Sequence, residues 1–282
     1  MRRITLIAVI SMAAFAQTPG GQPKSFASPD EAARALIDAA SKDDSQALLV
    51  VLGPSAKNIL SSGNASQDKE ERQEFCKLAT QKNRIEHSSM SAKTAILLVG
   101  NEDWPFPIPL MRTGEQWHFD PEAGAMEMRA RKVGADELDA IEICKGYVGA
   151  QQAYAAQQMA GKGVVGYAQK ITSSLRVPEG FATADFSSAG THRKPYHGYY
   201  FRVLKEQGPR APGGAHRYVA GGAMIGGFGL IAWPAEYGTG GIHVFMVNQD
   251  GLVYEKDLGP RTGTLAGTIV SYDPDDSWML VD

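Results

Sequence analysis

Cysteine is scarce: the 282 residues include two, Cys76 and Cys144, and no Cys-x-x-Cys pair. The six histidines are scattered, and His192 and His197 stand five apart, which fits neither the i,i+4 zinc pair of a helix nor zinc-finger spacing. No metal and no cofactor is expected from this set. No Lys/Arg run exceeds two residues, apart from isolated clusters such as Arg129-Ala130-Arg131-Lys132. Nucleic acid and anionic membrane surfaces are therefore poor partners. Hydrophobic residues make up 43% and charged residues 21%, an ordinary globular balance that excludes wholesale disorder.

Catalytic signatures are missing too. There is no Gly-x-Ser-x-Gly elbow and no Gly-Lys-Ser/Thr opening a helix. The many glycines, at 213–214, 221–222, 226–229 and 238–241, flank strand-like runs, where they serve turns, bulges and close backbone approach. Ser66-Gln67-Asp68-Lys69 matches Ser-x-x-Lys and Lys93-Thr94-Ala95 approaches Lys-Thr-Gly, but Ser-Asp-Asn is missing. Ser66 reads more simply as a helix N-cap. Asp250-Gly251 and Asp273-Pro274-Asp275-Asp276 lack the acidic register and terminal Glu of an EF-hand.

What is present begins with an export pattern. Arg2 and Arg3 precede an apolar run at 4–13, and Ala14-Phe15-Ala16 offers a small-x-small cleavage site. The run falls short of the roughly 20 residues that span a bilayer. A signal peptide over 1–16, cleaved after Ala16, places the protein in the periplasm or outside the cell. Cleavage removes two of the 28 basic residues, leaving 26 against 31 acidic and a formal net charge of −5. In an oxidising compartment Cys76 and Cys144 are either a disulfide or two buried thiols.

Residues 17–27 form a flexible leader. Ser28-Pro29-Asp30-Glu31 is a helix start, with Ser as N-cap, Pro at the first position and Glu three after the cap. That helix runs to about Ala40 with Ala32, Ala35, Leu36 and Ala39 on one face. A second, capped by Asp43 or Asp44, ends at Gly53-Pro54. A loop over 58–64 and a third helix over 67–82 follow. The period then changes: 85–90, 94–99 and 116–120 read as strands, and the alternate prolines of 104–110 require an edge or extended segment. Helix is resumed over 136–159, with Leu138, Ile141, Cys144, Val148 and Tyr154 near one stripe. A short helix over 164–174, a loop over 176–194, and strands near 198–205, 226–232, 241–248 and 252–256 come next. The last two strands are joined at Asn248-Gln249-Asp250-Gly251, before a final helix near 262–272. The fold class is α+β: an N-terminal domain of helices plus antiparallel meander (28–130), then a long helix packed on an antiparallel sheet (131–282).

Residues 195–259 concentrate aromatic and polar side chains, and the binding candidates are Tyr196, His197, Tyr199, Trp233, Glu236 and Tyr237. A His and a carboxylate joined by paired strands make a base and its orienter, so the catalytic candidates are His197, Glu236 and Asp257. The simpler reading packs the aromatics on the sheet and leaves His197 and Glu236 at turns bonding nearby backbone.

At PYHGYYFRVL, GGFGLIAWPAEYG and VNQDGLVYEKDLG the sequence closely resembles the bacterial family known as domain of unknown function 2950. VGNEDWPFPIPL, EQWHFDPEAG, ADELDAIEICKGYVGAQQAYA and SPDEAARALIDAA extend the match over almost the whole chain after residue 16. The resemblance implies a secreted protein of Gram-negative bacteria and no established activity, ligand or catalytic residue. One departure stands out: residues 173–190 replace a longer family segment with a Gly-Leu-Tyr-Trp-like piece. Residues 136–259 also resemble the globular part of type IV pilin-like proteins, without their long hydrophobic N-terminal helix. The N-terminal half is loosely similar to nuclear-transport-factor-like and cystatin-like folds. The expectation is a non-enzymatic binding or interaction protein of the envelope, with an envelope protein or cell-wall component as partner. The alternatives are a hydrolase using His197 with Glu236 or Asp257, and a structural part of an assembly.

Overall fold

Ser28 caps the first helix as its sequence requires. Its hydroxyl accepts from the Glu31 N–H (3.1 Å), while the Glu31 carboxylate accepts from the Ala27 N–H (3.0 Å). The structure, a computed structural model, describes residues 22–160, 166–171, 175 and 194–281. The expected signal peptide over 1–16, residues 17–21 of the expected leader, His192 and nearly all of 173–190 lie outside the described residues. The chain divides into two compact units, one up to Glu127 and one from Met128 onward.

In the first unit, α1 (Pro29–Ser41) is followed by α2 (Ser45–Leu52), α3 (Lys57–Leu60) and α4 (Ala65–Gln81). Asp44 caps α2 by accepting from the N–H groups of Gln46 and Ala47. Part of the expected loop over 58–64 is instead the single turn α3. The N-cap of α4 is Asn64, whose side chain accepts from the Gln67 N–H, and not Ser66, which lies inside the first turn and donates to Glu70. The strands are β1 (Asn83–His87), β2 (Thr94–Val99), β3 (Trp104–Pro105), β4 (Leu110–Thr113) and β5 (Gln116–Phe119). All pairings are antiparallel, in the order β1-β2-β4-β5, with β3 pairing β2 beside β4. Leu36, Leu52, Leu97, Leu110 and Phe119 are fully or nearly fully buried between helices and sheet.

The long helix α5 (Pro121–Ala160) has 40 residues and starts fifteen positions earlier than its apolar periodicity indicates. Asp120 accepts from the N–H groups of Glu122 and Ala123, and Pro121 occupies the first position. Asp120-Pro121 repeats the cap-and-proline start of Ser28-Pro29, without its Glu three after the cap. It is followed by polar turns with no apolar stripe, so periodicity misses it.

In the second unit α5 packs on a sheet of order β14-β13-β12-β11-β6. Its strands are β6 (Tyr199–Leu204), β11 (Gly229–Pro234), β12 (His243–Asn248), β13 (Tyr254–Asp257) and β14 (Met279–Leu280), all antiparallel. Two short pairs lie between β6 and β11: β7 (Glu206–Gln207) with β8 (His216–Arg217), and β9 (Val219–Ala220) with β10 (Ala223–Met224). Every residue of β11 is buried, as expected of a strand covered on both faces. Leu230 and Ala232 meet Ile141, Cys144, Tyr147 and Val148 of α5. Ile231 and Trp233 face the opposite way, toward Met246, Tyr272 and α6 (Thr262–Thr268). The final helix is shorter than the 262–272 expected, and the tail supplies β14.

The buried α5 stripe is Ala140, Ile141, Cys144, Tyr147, Val148 and Gln151; Leu138 is 52% exposed. Glu137, two turns before Cys144, continues that stripe in its place. Gln151 is wholly buried, and its amide exchanges hydrogen bonds with both backbone groups of Ala168 (2.8 Å each). Tyr167 bridges Met224, residues 169–170 form a bend, and the helix expected over 164–174 is not formed at its described positions. Among the described residues no helix is long and apolar enough to cross a membrane.

Candidate functional site

The residues singled out in 195–259 do not form one group. Trp233 pairs in register with Tyr200 and lies on the α6 face of the sheet, whereas Tyr199 is fully buried on the α5 face. A strand sends successive side chains to opposite faces, so the two aromatics cannot share a site. The Tyr199 hydroxyl donates to the His243 carbonyl (2.9 Å), and burial, followed by the charges of Glu137 and Asp136, pushes its pKa up. Tyr237 donates to Asp257 (3.2 Å), whose other oxygen accepts from the Gly259 N–H (2.7 Å), so that carboxylate closes a turn.

His197 takes neither Glu236 nor Asp257 as partner. Its Nδ1 meets a carboxylate oxygen of Asp139 on α5. The ring sits at the tip of a tight hairpin in which Tyr196 and Tyr199 exchange backbone hydrogen bonds (2.9 and 3.0 Å). His197 and Gly198 both have positive φ (46° and 73°), the requirement of a two-residue type I′ turn. At Gly198 a Cβ would also stand 2.5 Å from the Asp136 carboxylate and 2.9 Å from the Gly240 carbonyl. The Pro-Tyr-His-Gly-Tyr sequence thus seats this turn between α5 and the loop 235–241.

The α5 residues facing the turn carry the polar chemistry that periodicity did not mark. Asp136 is nearly buried and pairs with Lys132 one turn earlier. Glu137 accepts from the N–H groups of Ile242 (2.8 Å) and His243 (2.9 Å) and from His243 Nδ1 (3.1 Å). Asp139 holds His197. The only advance signal was local: Lys132 and Asp136 stand four apart, and Asp136-Glu137-x-Asp139 is an acidic run inside a helix.

Beside the turn lies a groove of about 600 Å³, lined by Met128, Arg129, Lys132, Pro195, Gly198, Ala235, Glu236, Thr239 and Gly240. Its wall is built from Met128, Pro195 and Ala235. Two charged groups on it, Arg129 and Glu236, have no ion pair among the described residues, while the charge of Lys132 is met by Asp136. Glu236 contributes its backbone carbonyl to the loop, accepting from the Gly240 N–H (2.9 Å), and leaves its carboxylate exposed. A smaller groove of about 370 Å³ on the α6 face has a mixed lining that includes Leu258, Ile269 and Trp278 beside Asp273 and Lys256, the last bonded to Ser277.

His197 with Asp139 is an imidazole oriented by a carboxylate. Among the described residues no hydroxyl, thiol or amine hydrogen-bonds that ring, so no side-chain nucleophile is held there. Likewise, no group of three or more His, Cys, Asp or Glu side chains among them is arranged to hold a metal ion. Cys76 and Cys144 are free thiols, the first half-buried in the first unit and the second wholly buried in α5.

The family described as Protein of unknown function (DUF2950) matches residues 23–185 and 176–281. The chain belongs to this family. The groove of this DUF2950 chain draws on both stretches, with Met128, Arg129 and Lys132 in the first and Pro195 to Gly240 in the second. The two stretches share residues 176–185. No curated protein and no solved structure matches the chain.

Proposed function

We propose that this DUF2950 protein is a non-enzymatic binding protein of the bacterial envelope, periplasmic or secreted, and that its ligand sits in the groove beside the His197 turn. The observation that carries this reading is the pair of unpartnered charges, Arg129 and Glu236, on a wall of Met128, Pro195 and Ala235. A concave, mostly apolar surface with a few placed polar groups is the general form of a small-ligand site, and about 600 Å³ falls in the usual size range. Arg2, Arg3, the apolar run 4–13 and Ala14-Phe15-Ala16 support export. The carboxylates of Asp136, Glu137 and Asp257 are committed to structural bonds, which favours binding over catalysis.

A thermal-shift screen of the purified protein against divalent metals, a chelator, cell-wall fragments, sugars and short peptides tests the reading. A ligand at a hundred times its dissociation constant adds about 2.7 kcal/mol of stability. For a chain of this size that raises the melting temperature by roughly 5 °C or more. The shift should vanish in Ala235→Trp, which fills the groove from an exposed position. A flat response across the panel, or a shift that Ala235→Trp leaves intact, contradicts it.

One observation favours a second reading, hydrolysis by a water that His197 activates: Asp139 orients the ring as a base requires. That reading replaces Glu236 and Asp257 by Asp139. It predicts ester hydrolysis lost in both His197→Ala and Asp139→Asn, and activity surviving either change rules it out.

A further inference from the structure

From the chemistry of the groove lining we infer that the ligand class is a short peptide with a free carboxylate and a free ammonium group. This inference rests on the groove being the binding site. Lys132 is paired with Asp136, so Arg129 is the cation left for a ligand. A guanidinium offers two parallel N–H donors, the fork that a carboxylate accepts with both oxygens. Glu236 is the complementary anion: its carboxylate is exposed, without a hydrogen bond among the described residues, and suited to an ammonium. One available charge of each sign among the described residues makes a polyanion or polycation a poor match, because each would leave one of the two facing a like charge.

The wall narrows the class further. Met128, Pro195 and Ala235 give small apolar contacts, and the Met128 thioether adapts to different small side chains. Among the described residues no aromatic ring lines the groove, so they offer no platform for stacking a nucleobase. The Thr239 hydroxyl adds a group able to donate to a peptide carbonyl or accept from a peptide N–H. Opposite charges at two places, small apolar contacts and a hydroxyl suit a peptide of a few small residues.

Isothermal titration calorimetry on the purified protein decides the matter, with trialanine, trialaninamide, N-acetyl-trialanine, tri-N-acetylglucosamine and inorganic phosphate as probes. Trialanine should bind. The amide and the acetylated peptide should each bind about tenfold or more weakly, the loss of one charge-assisted contact. Arg129→Ala should bind trialanine and its amide alike, and Glu236→Gln should bind trialanine and its acetylated form alike. If the sugar or phosphate binds, the peptides do not, and Ala235→Trp abolishes that binding, the peptide class falls while the groove reading stands. Equal binding of all three peptides also overturns the class. No binding by any probe, or binding that Ala235→Trp leaves unchanged, overturns both.

Discussion

Glu137 holds His243 twice, accepting from its backbone N–H at 2.9 Å and from its ring Nδ1 at 3.1 Å. The same oxygen takes the Ile242 N–H at 2.8 Å, so one carboxylate on the sheet-facing stripe of α5 fixes the start of β12. Removing it strands three donors on the half-buried residues Ile242 and His243. Glu137→Ala should cost about 2 kcal/mol in urea denaturation, and Glu137→Gln clearly less, because its amide oxygen still accepts. Equal stability of Glu137→Ala and the unmodified protein would show that this contact holds nothing together.

The same substitution should act oppositely at two glycines. A Cβ on Gly241 would stand 2.1 Å from the hydroxyl of buried Tyr199 and 2.5 Å from its ring carbon Cζ, so Gly241→Ala should destabilise by about 1–3 kcal/mol. At Gly134, inside α5, a Cβ meets nothing within 4 Å, and Gly134→Ala should stabilise by about 0.5–1 kcal/mol. Paired denaturation curves check both signs.

Burial pushes the Cys144 thiol up to about 12 from its ordinary 9.0, and burial followed by the charge of Asp43 raises that of Cys76. An unfolded Cys144 ionises above about pH 9 while the folded one stays protonated, so unfolding releases a proton there. The stabilisation is complete below the unfolded pKa and is lost as pH rises from about 9 toward 12, at up to about 1.4 kcal/mol per pH unit. Cys144→Ala should flatten the decline of stability between pH 9 and 10 relative to the unmodified protein. A decline unchanged by Cys144→Ala would contradict it.

Local grammar carried most of the fold. The cap at Ser28, the Asp43-Asp44 pair before the second helix, the apolar run at 94–99, the alternation at 116–120 and the Asn248–Gly251 hairpin each state their element in a few residues. Periodicity failed where burial gave no stripe, as at 121–135, and where a polar group stood in one, as Glu137 does in place of Leu138. The site was less legible. His197 and the Pro-Tyr-His-Gly-Tyr turn were visible, but their partners Asp136 and Asp139 lie some sixty residues away in sequence. Nothing local tells a helix surface carboxylate from one that reaches a distant turn. Trp233 and Tyr199 share a motif-rich stretch, yet strand pairing sends them to opposite faces.

Hydrogen exchange in the presence of trialanine tests most directly whether the groove is the ligand site. The prediction is slowed exchange confined to the loop 235–241 and the α5 turn 128–132, absent in Ala235→Trp. Protection at the α6-face groove instead, or none anywhere at saturating peptide, would contradict it.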